Sequence, residues 1–300
     1  MNANHSHQPL SRNKSRDVAV AYRICPFMSR TPPPVHADSK FKLAALCLRS
    51  FKAALGSLDV KIWAILDNCP PEYEKLFTDL WTPEDLVLCP QPGIGNGGTF
   101  AKQIEILTGQ EEAELVYLAE DDYFYLPGRF HLALDLIRNN PDVDFCTFYD
   151  HPDYYRHDFH LHQMRIKVEQ GQVWKTQNGT TCSLLTRKGI LKETRDVLGS
   201  FARKNSDAGI WLSLTKEHVR NPYDLLTQPF LFPFRGYSLA CAWYFNWRQI
   251  LFGRRYSLWV PVPSLATHMA AGFEAPDVDW SREFERVEVH PADPASSPPH

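Results

Sequence analysis

The clearest chemistry in the sequence lies in three consecutive carboxylates, Glu120, Asp121 and Asp122. They follow the apolar run 115–119, whose length and composition predict a buried strand. Adjacent carboxylates repel one another unless a cation lies among them. Mg²⁺ or Mn²⁺, held by one or two carboxylates and phosphate oxygens, is the cation that suits such oxygen ligands. The pattern therefore predicts a divalent metal site at the strand end, although a solvated acidic turn explains the same residues.

Other polar residues fall at the ends of neighbouring predicted strands. Arg23 ends the first strand, Asp67 ends the second, and the glycine-rich loop 92–98 follows the third. Open α/β sheets bind ligands at the carboxyl ends of their strands. We therefore expect a nucleotide site formed by Arg23, Asp67, Asn96, Gly97 and Gly98. Asp67 is able to accept a hydrogen bond from the imide of uracil, or it shapes a turn.

Alternating strand and helix patterns predict an α/β fold with a mostly parallel central sheet flanked by helices. Segment 40–56, for example, has apolar residues at helical spacing and ends at a glycine. We expect one domain over 17–289, with a nucleotide-binding half at 17–128 and an acceptor-binding half at 129–289. The polar segments 1–16 and 290–300 are expected to be disordered tails.

These motifs, in this order, resemble the nucleotide-binding half of GT-A glycosyltransferases, especially family 2-like enzymes. The matching segments are Ala21-Tyr22-Arg23, Ile65-Leu66-Asp67, Asn96-Gly97-Gly98 and Tyr117-Leu118-Ala119-Glu120-Asp121-Asp122. The resemblance implies a Rossmann-like GT-A fold in which Asp122 binds the metal and Glu120 contacts the metal or the ribose. Glu120 and Asp121 are thus candidate nucleotide contacts.

Two segments of the second half extend the resemblance. Pro263-Ser264-Leu265-Ala266-Thr267-His268 is similar to a segment whose histidine completes the metal shell, which makes His268 a candidate ligand with Glu120 and Asp122. A lone loop histidine is otherwise solvated or capping. Asp207 follows Ser206 at a predicted helix start, where the family places a catalytic carboxylate. It is the candidate general base for an inverting transfer, or simply a first-turn residue.

The segment 150–162 is rich in histidine, tyrosine and aspartate. Its histidines do not have the spacing of recognisable zinc sites, so we prefer an acceptor-binding loop that uses Asp150, His151 and Tyr154. A solvated connection remains the alternative. Arg254 and Arg255 offer positive charge for a diphosphate. The aromatic segment 239–252 is interpreted as a buried core helix in preference to one that contacts a membrane peripherally, because its polar residues form no basic face.

Composition narrows the classes of function. A net charge of −3 and a pI near 6.5 argue against non-specific nucleic-acid binding. The 7 cysteines form no Cys-X-X-Cys pair, which is typical of a reducing compartment. The sequence shows no signal-peptide pattern and no apolar run long enough for a transmembrane segment. We therefore expect a cytoplasmic protein.

Together these features predict metal-dependent transfer of a sugar from a nucleotide-diphosphate sugar, UDP-linked by preference, to a glycan or other hydroxyl acceptor, with inversion. One alternative is a nucleotidyltransferase acting on a sugar phosphate, whose glycine-rich loop is expected after the first strand. Segment 24–34 contains no glycine. The other alternative is an inactive nucleotide- or carbohydrate-binding relative, against which the presence of Glu120, Asp122 and His268 argues.

Overall fold

The computed structural model describes residues 15–289, so most of both predicted tails lies outside the described residues. Arg16, assigned from sequence to the first tail, belongs to the folded body. Its backbone N–H donates to the Glu112 carbonyl at 2.9 Å, and its guanidinium lies 3.2 Å from Asp59 and 2.5 Å from Asp85. The ordered part thus begins before the predicted boundary, because these carboxylates anchor Arg16.

Strands and helices alternate through the first half and the order becomes irregular in the second. The strands are β1 Val18–Ile24, β2 Val60–Asp67, β3 Leu86–Gln91, β4 Leu115–Glu120, β5 Tyr123–Tyr125, β6 Phe145–Cys146, β7 Ile166–Glu169, β8 Gln172–Gln177, β9 Leu184–Arg187, β10 Leu258–Val262 and β11 Ala266–His268. The helices are α1 Lys40–Leu55, α2 Glu72–Thr78, α3 Gly95–Gly109, α4 Phe130–Asn139, α5 Asp153–Arg156, α6 Lys188–Leu198, α7 Asp207–Thr215, α8 Pro222–Leu231, α9 Pro233–Phe252 and α10 Trp280–Val289.

A nine-stranded sheet in the order β3-β2-β1-β4-β9-β6-β10-β8-β7 forms the centre of the protein. Within residues 15–289, β9 and β8 run opposite to the other strands of this sheet. The prediction of an α/β fold with a mostly parallel central sheet and flanking helices is confirmed. The sheet contains strands from both predicted halves.

Two apolar layers cover the sheet. On one face, α1, α4 and α10 pack around Tyr22, Phe51 and Tyr117. On the other face, α3, α6 and α7 pack around Phe100 and Trp211. Because strands β1, β2 and β4 are covered on both faces, nearly all of their residues are buried.

A second, two-stranded sheet joins distant parts of the chain. β11 pairs antiparallel with β5, with His268 opposite Tyr123. The backbone N–H of Met269 also donates to the carbonyl of Asp122 at 2.8 Å. The pairing therefore brings the segment after β10 to the carboxyl end of β4.

Several elements differ from their sequence predictions. The predicted loop 92–98 is helical from Gly95 onward. Helix α8 and the small strands β5 and β11 were not predicted. Helix α9 begins six residues earlier than predicted and bends at Asn246, whose φ is −129°. Within residues 15–289, none of the helices has the length and apolar character needed to cross a bilayer.

Candidate functional site

A cavity of about 610 Å³ opens at the carboxyl ends of β1, β2 and β4. Its walls come from the loop after β1, the first residue of α1, the loop before α3 and the carboxylates after β4. The polar residues that line it include Arg23, Lys40, Asp67, Asn96, Glu120, Asp121 and Asp122. The sheet topology thus gathers most of the sequence-predicted nucleotide residues around one cavity.

Glu120 is held by Arg23 from the neighbouring strand. The two residues are partners in the parallel β1–β4 register, so their side chains lie next to each other on the same face of the sheet. The guanidinium of Arg23 donates to a Glu120 carboxylate oxygen and to the Asn96 carbonyl at 2.9 Å, and Ser183 Oγ donates to the other Glu120 oxygen at 2.8 Å. Burial lowers the pKa of Arg23, but Glu120 outweighs it and the net pKa is raised. Arg23 therefore stays charged.

Asp121 is held by Lys40, the first residue of α1. Lys40 Nζ lies 2.9 Å from Asp121 Oδ1, and the Cys25 backbone N–H donates to Oδ2 at 3.0 Å. Burial raises the pKa of Asp121 and Lys40 lowers it, with a net rise. Sequence reasoning missed Lys40. The available signal was a cation at a helix N-terminus, where the helix dipole disfavours positive charge unless a carboxylate compensates.

Asp122 is paired with His268, 146 positions later in the chain. His268 Nε2 lies 3.3 Å from Asp122 Oδ2, and the imidazole stacks on Tyr123 with ring centroids 5.1 Å apart. Burial raises the pKa of Asp122, but the bond and charge of His268, with Lys40 and Arg23, bring it to about 2. Burial lowers the pKa of His268 and Asp122 outweighs it, so that pKa is raised. Each of the three consecutive carboxylates thus has its own basic partner: Arg23 for Glu120, Lys40 for Asp121 and His268 for Asp122.

The fit to a divalent ion is therefore partial. Within residues 15–289, no group of three or more His, Cys, Asp or Glu side chains is arranged to hold a metal ion, and both oxygens of Glu120 are engaged by Arg23 and Ser183. Asp122 and His268 do fit, because Asp122 Oδ1 is buried and has no hydrogen-bond partner in the described chain. Mg²⁺ is commonly held by one or two carboxylates plus phosphate oxygens. A two-residue site completed by a substrate is the arrangement that this geometry accommodates.

Asp67 braces the loop that leads into α3. Its Oδ1 accepts from the backbone N–H groups of Gly93 at 3.0 Å and Ile94 at 2.7 Å, and its Oδ2 accepts from Gly95 at 2.8 Å. These contacts agree with the interpretation that Asp67 shapes a turn. One lone pair of its Oδ2 remains available for a ligand.

The structure does not bring Gly97 and Gly98 to the cavity. Both lie in the first turn of α3, and a Cβ at Gly97 would come within 3.0 Å of the Ala202 backbone. A Cβ at Gly98 would come within 2.9 Å of the Ile94 side chain. These glycines let α3 pack closely, while Gly93, Gly95 and Asn96 form the cavity wall.

Replacing Asp67 by alanine is expected to destabilise the protein by about 2 kcal/mol, because three loop N–H groups lose their acceptor. Binding of a nucleotide at the cavity should weaken about tenfold with it. Asp67→Asn keeps one acceptor oxygen, so its stability and its nucleotide affinity should lie between those of wild type and Asp67→Ala. Chemical unfolding and UDP titration measure both effects. Asp79→Ala, at an exposed carboxylate paired with Lys75, is the control and should change stability by less than about 0.5 kcal/mol. Equal effects at both positions would contradict the bracing role.

Asp207 lies at the start of α7, close enough to Glu120 for that charge to affect it. Burial and the charge of Glu120 raise the pKa of Asp207, whereas the hydrogen bond from the Ala208 backbone N–H lowers it. The net pKa is raised. The N-cap of this helix is Ser206, whose Oγ accepts from the Gly209 N–H at 2.9 Å. Capping is therefore supplied without Asp207, and the raised pKa makes its carboxylate more basic.

The three predicted acceptor residues point to different partners. Asp150 is buried and lies 3.0 Å from Lys175, with Tyr155 donating to its other oxygen. Tyr154 donates its hydroxyl to the Gly179 carbonyl at 2.6 Å. His151 packs against Tyr149, which in turn contacts His268. Only His151 is therefore linked to the Asp122–His268 pair, while Asp150 and Tyr154 hold the loop in place.

Stability should fall on acidification because of His151. Burial lowers its pKa to about 4, outweighing the opposing charge of Asp153. The folded protein therefore favours the neutral imidazole, and the unfolded chain, with a pKa near 6.5, binds more protons between these values. Stability is full above pH 6.5 and is lost as pH falls towards 4. From pH 7 to 5, wild type should lose about 2 kcal/mol more than His151→Asn. Denaturant titrations at both pH values measure the free energy of unfolding. Equal losses of stability in wild type and His151→Asn would refute the role of His151.

Arg254 and Arg255 do not lie at the cavity. They precede β10 and therefore stand at the opposite edge of the sheet, where Arg254 lies 2.8 Å from Asp144 and Arg255 binds Glu217. The proposed contact with a diphosphate is wrong, because the direction of β10 places its amino end away from Asp122. Arg23 and Lys40 are the cations at the cavity.

Comparison with known proteins gives only distant structural similarity. Neither a family model nor a curated protein sequence matches the chain. A putative nucleotide-diphospho-sugar transferase from Desulfovibrio desulfuricans is 12% identical over 78% of this chain and 98% of its own, with a TM-score of 0.41. CMP:2-keto-3-deoxy-manno-octonic acid synthetase is 10% identical over 62% of this chain and 82% of its own, with a TM-score of 0.37. TarS of S. aureus, residues 1–349, is 12% identical over 60% of this chain and 49% of its own, with a TM-score of 0.37. Similarity at this level assigns no activity to the chain.

Proposed function

We propose that the chain is a glycosyltransferase of the GT-A, family 2-like type, which transfers a sugar from a nucleotide-diphosphate sugar to a hydroxyl acceptor. One observation carries the proposal. The cavity at the carboxyl edge of the sheet is lined by a glycine-rich loop, two buried cations and Asp122. Asp122 in turn pairs with His268 at 3.3 Å, and Glu120 is near enough to Asp207 for its charge to act on that carboxylate. A nucleoside diphosphate requires groups of these kinds for its base, its phosphates and its metal.

The base and ribose of the donor would occupy the part of the cavity between the loops 25–29 and 92–96. The free lone pair of Asp67 is available for a base imide, which favours uracil, and Phe27 is exposed at the cavity wall, where a base can stack. Arg23, with its charge shared with Glu120, and Lys40 lie along the same cavity. Both are positioned to attract the diphosphate.

Asp122 and His268 are the residues that would hold a divalent ion, Mn²⁺ or Mg²⁺. When bound, such an ion neutralises the diphosphate charge that develops as the bond to the sugar breaks. Glu120 keeps Arg23 in place, and it would contact the ribose through a lone pair that Arg23 and Ser183 do not use. The mixed carboxylate and imidazole pair suits Mn²⁺.

Asp207 would accept the proton of the acceptor hydroxyl. As the acceptor oxygen forms its bond to the anomeric carbon, the bond from that carbon to the diphosphate breaks and the proton passes to the Asp207 carboxylate. A direct attack of this kind inverts the anomeric configuration. His151, near His268, and its neighbours on the loop 150–162 would line the acceptor side.

Product assays test this function against its alternatives. The protein is incubated with UDP-sugars and GDP-sugars, with Mn²⁺ or with chelator, and release of nucleoside diphosphate and sugar is followed. We expect Mn²⁺-dependent release, fastest with a UDP-sugar. Pyrophosphate release from UTP or CTP with a sugar phosphate would instead identify a nucleotidyltransferase. Metal-dependent nucleotide binding with no sugar release over hours would identify an inactive relative.

A further inference from the structure

The side of helix α3 that packs on the sheet is largely polar. Asn96, Thr99, Phe100 and Gln103 recur at the spacing of neighbours on one side of a helix. Asn96 borders the cavity, and the other three are buried. A helix side that packs on a sheet is ordinarily apolar, because a buried polar group costs free energy unless it is hydrogen-bonded. The three polar residues on this side therefore need an explanation.

The residues nearest the cavity on this side contact Arg23. The guanidinium of Arg23 donates to the Asn96 carbonyl at 2.9 Å and to Thr99 Oγ1 at 3.4 Å. It also lies 5.6 Å from the centre of the Phe100 ring, and its other terminal nitrogen binds Glu120. The first turn of α3 thus fixes the side chain of Arg23 directly.

Gln103 lies one turn further along α3 and contacts the backbone of both strands. Its Nε2 donates to the Ala21 carbonyl at 2.7 Å and to the Ala119 carbonyl at 2.8 Å. Ala21 stands two positions before Arg23 in β1, and Ala119 stands one position before Glu120 in β4. The small side chain of Ala21 lies in the apolar layer on this side of the sheet and leaves room for the amide. A single side chain therefore ties α3 to both strands just before their polar ends.

The amide of Gln103 also carries a cost in stability. Its Oε1 is buried and has no hydrogen-bond partner within residues 15–289. An unpaired buried acceptor has lost its hydration without a replacement, which offsets much of what the two bonds of Nε2 contribute. A gain in overall stability therefore does not account for a glutamine at this position.

We propose that Gln103 is a positioning residue, which joins α3 to the ends of β1 and β4 and so holds Arg23 and Glu120 in register with Asn96. Arg23 binds both Asn96 and Glu120, and it keeps both contacts only while the helix and the two strand ends stay at a fixed separation. Without the amide of Gln103, Arg23 would follow one partner and lose the other. The consequence for nucleotide binding rests on the proposed function, in which Arg23 attracts the diphosphate.

Titration with UDP and Mn²⁺ compares two buried glutamines at α3. Gln110 caps the opposite end of the helix, where its Nε2 donates to the Leu107 and Ala113 carbonyls and its Oε1 accepts from two backbone N–H groups. We expect Gln103→Met to weaken UDP binding at least about tenfold, with little change in the midpoint of denaturant unfolding, because it also removes the unpaired oxygen. Gln110→Met should bind UDP like wild type but unfold at a clearly lower denaturant concentration.

Hydrogen exchange of backbone amides provides a readout that needs no ligand. In Gln103→Met, the amides of Arg23 and Ala119 should exchange at least about tenfold faster, while amides nearer the middle of β1 and β4 keep wild-type rates. Wild-type exchange rates or wild-type UDP affinity in Gln103→Met would overturn the proposal. So would an equal loss of UDP affinity in Gln110→Met, because the loss would then follow stability. Wild-type protein that binds no UDP would overturn the proposed function, and the exchange rates would still decide the role of Gln103.

Discussion

Asp207→Asn is expected to lower the kcat of sugar transfer by about 10²- to 10⁴-fold, the range in which a general base contributes. Asparagine has nearly the same shape but cannot take a proton from the acceptor hydroxyl. The KM for the donor should stay within about twofold of wild type, because Asp207 lies at α7 and not in the wall of the nucleotide cavity. Steady-state kinetics with saturating donor and acceptor measure both quantities.

The pH profile provides a second readout for Asp207. Its pKa is raised by burial and by Glu120, so wild-type kcat should increase with pH above the usual carboxylate range. The kcat of Asp207→Asn should not show this increase with pH. Asp196→Asn removes an exposed carboxylate of α6 and is the control, with kcat unchanged. A variant at position 207 that retains wild-type kcat would exclude the proposed base.

Lys40→Met should destabilise the protein by about 3–5 kcal/mol, the largest effect on stability that we expect. The Lys40–Asp121 pair is buried, with side chains 7% and 10% exposed. Removing the ammonium group leaves a buried carboxylate whose remaining partner is the Cys25 N–H. Methionine keeps most of the volume of lysine, so the loss reflects the unpaired charge more than a cavity.

Two further variants identify the cause of that loss. Lys40→Met/Asp121→Asn removes both charges and should recover at least half of the lost stability, as a double-mutant cycle shows. Lys42→Met, on the same helix, removes an exposed lysine that lies 3.9 Å from Asp38 and should change stability by less than about 0.5 kcal/mol. Denaturant unfolding measures the stability of all three variants. Additive losses in the double variant would mean that the two residues do not stabilise each other.

The central sheet, and the polar residues at the carboxyl ends of its strands, follow from local sequence patterns. Strands β1, β2 and β4 are short, largely apolar runs, and polar residues such as Asp67 and Glu120 form their last positions. In a parallel sheet these ends meet at one edge, so their proximity follows from the pattern. The pairing of Lys40 with Asp121 was not predicted, because helical periodicity carries no information about which carboxylate a helix end will meet.

Two other differences have physical reasons that a sequence pattern does not contain. Gly97 and Gly98 suggested a loop, but Gly97 allows the close packing of α3 against the Ala202 backbone, and Gly98 leaves room for the side chain of Ile94, the N-cap of the same helix. The apolar spacing of α9 predicts a helix with an apolar side, and it does not tell which of two apolar sides the core will cover. Leu239 and Tyr244, five positions apart, lie on different sides of the helix, and the core covers the side with Leu239 while Tyr244 is exposed.

The central proposal is that Asp122, in the cavity beside Arg23 and Lys40, and its partner His268 form a metal-assisted nucleotide site. Calorimetric titration of UDP into wild type, Asp122→Asn and the control Asp196→Asn, each with Mn²⁺ and with chelator, tests it most directly. We expect Mn²⁺ to tighten UDP binding at least about tenfold in wild type and in the control, equivalent to about 1.4 kcal/mol, and to have no effect in Asp122→Asn. UDP binding that is absent in wild type, or that is equally strong with chelator, would contradict the claim.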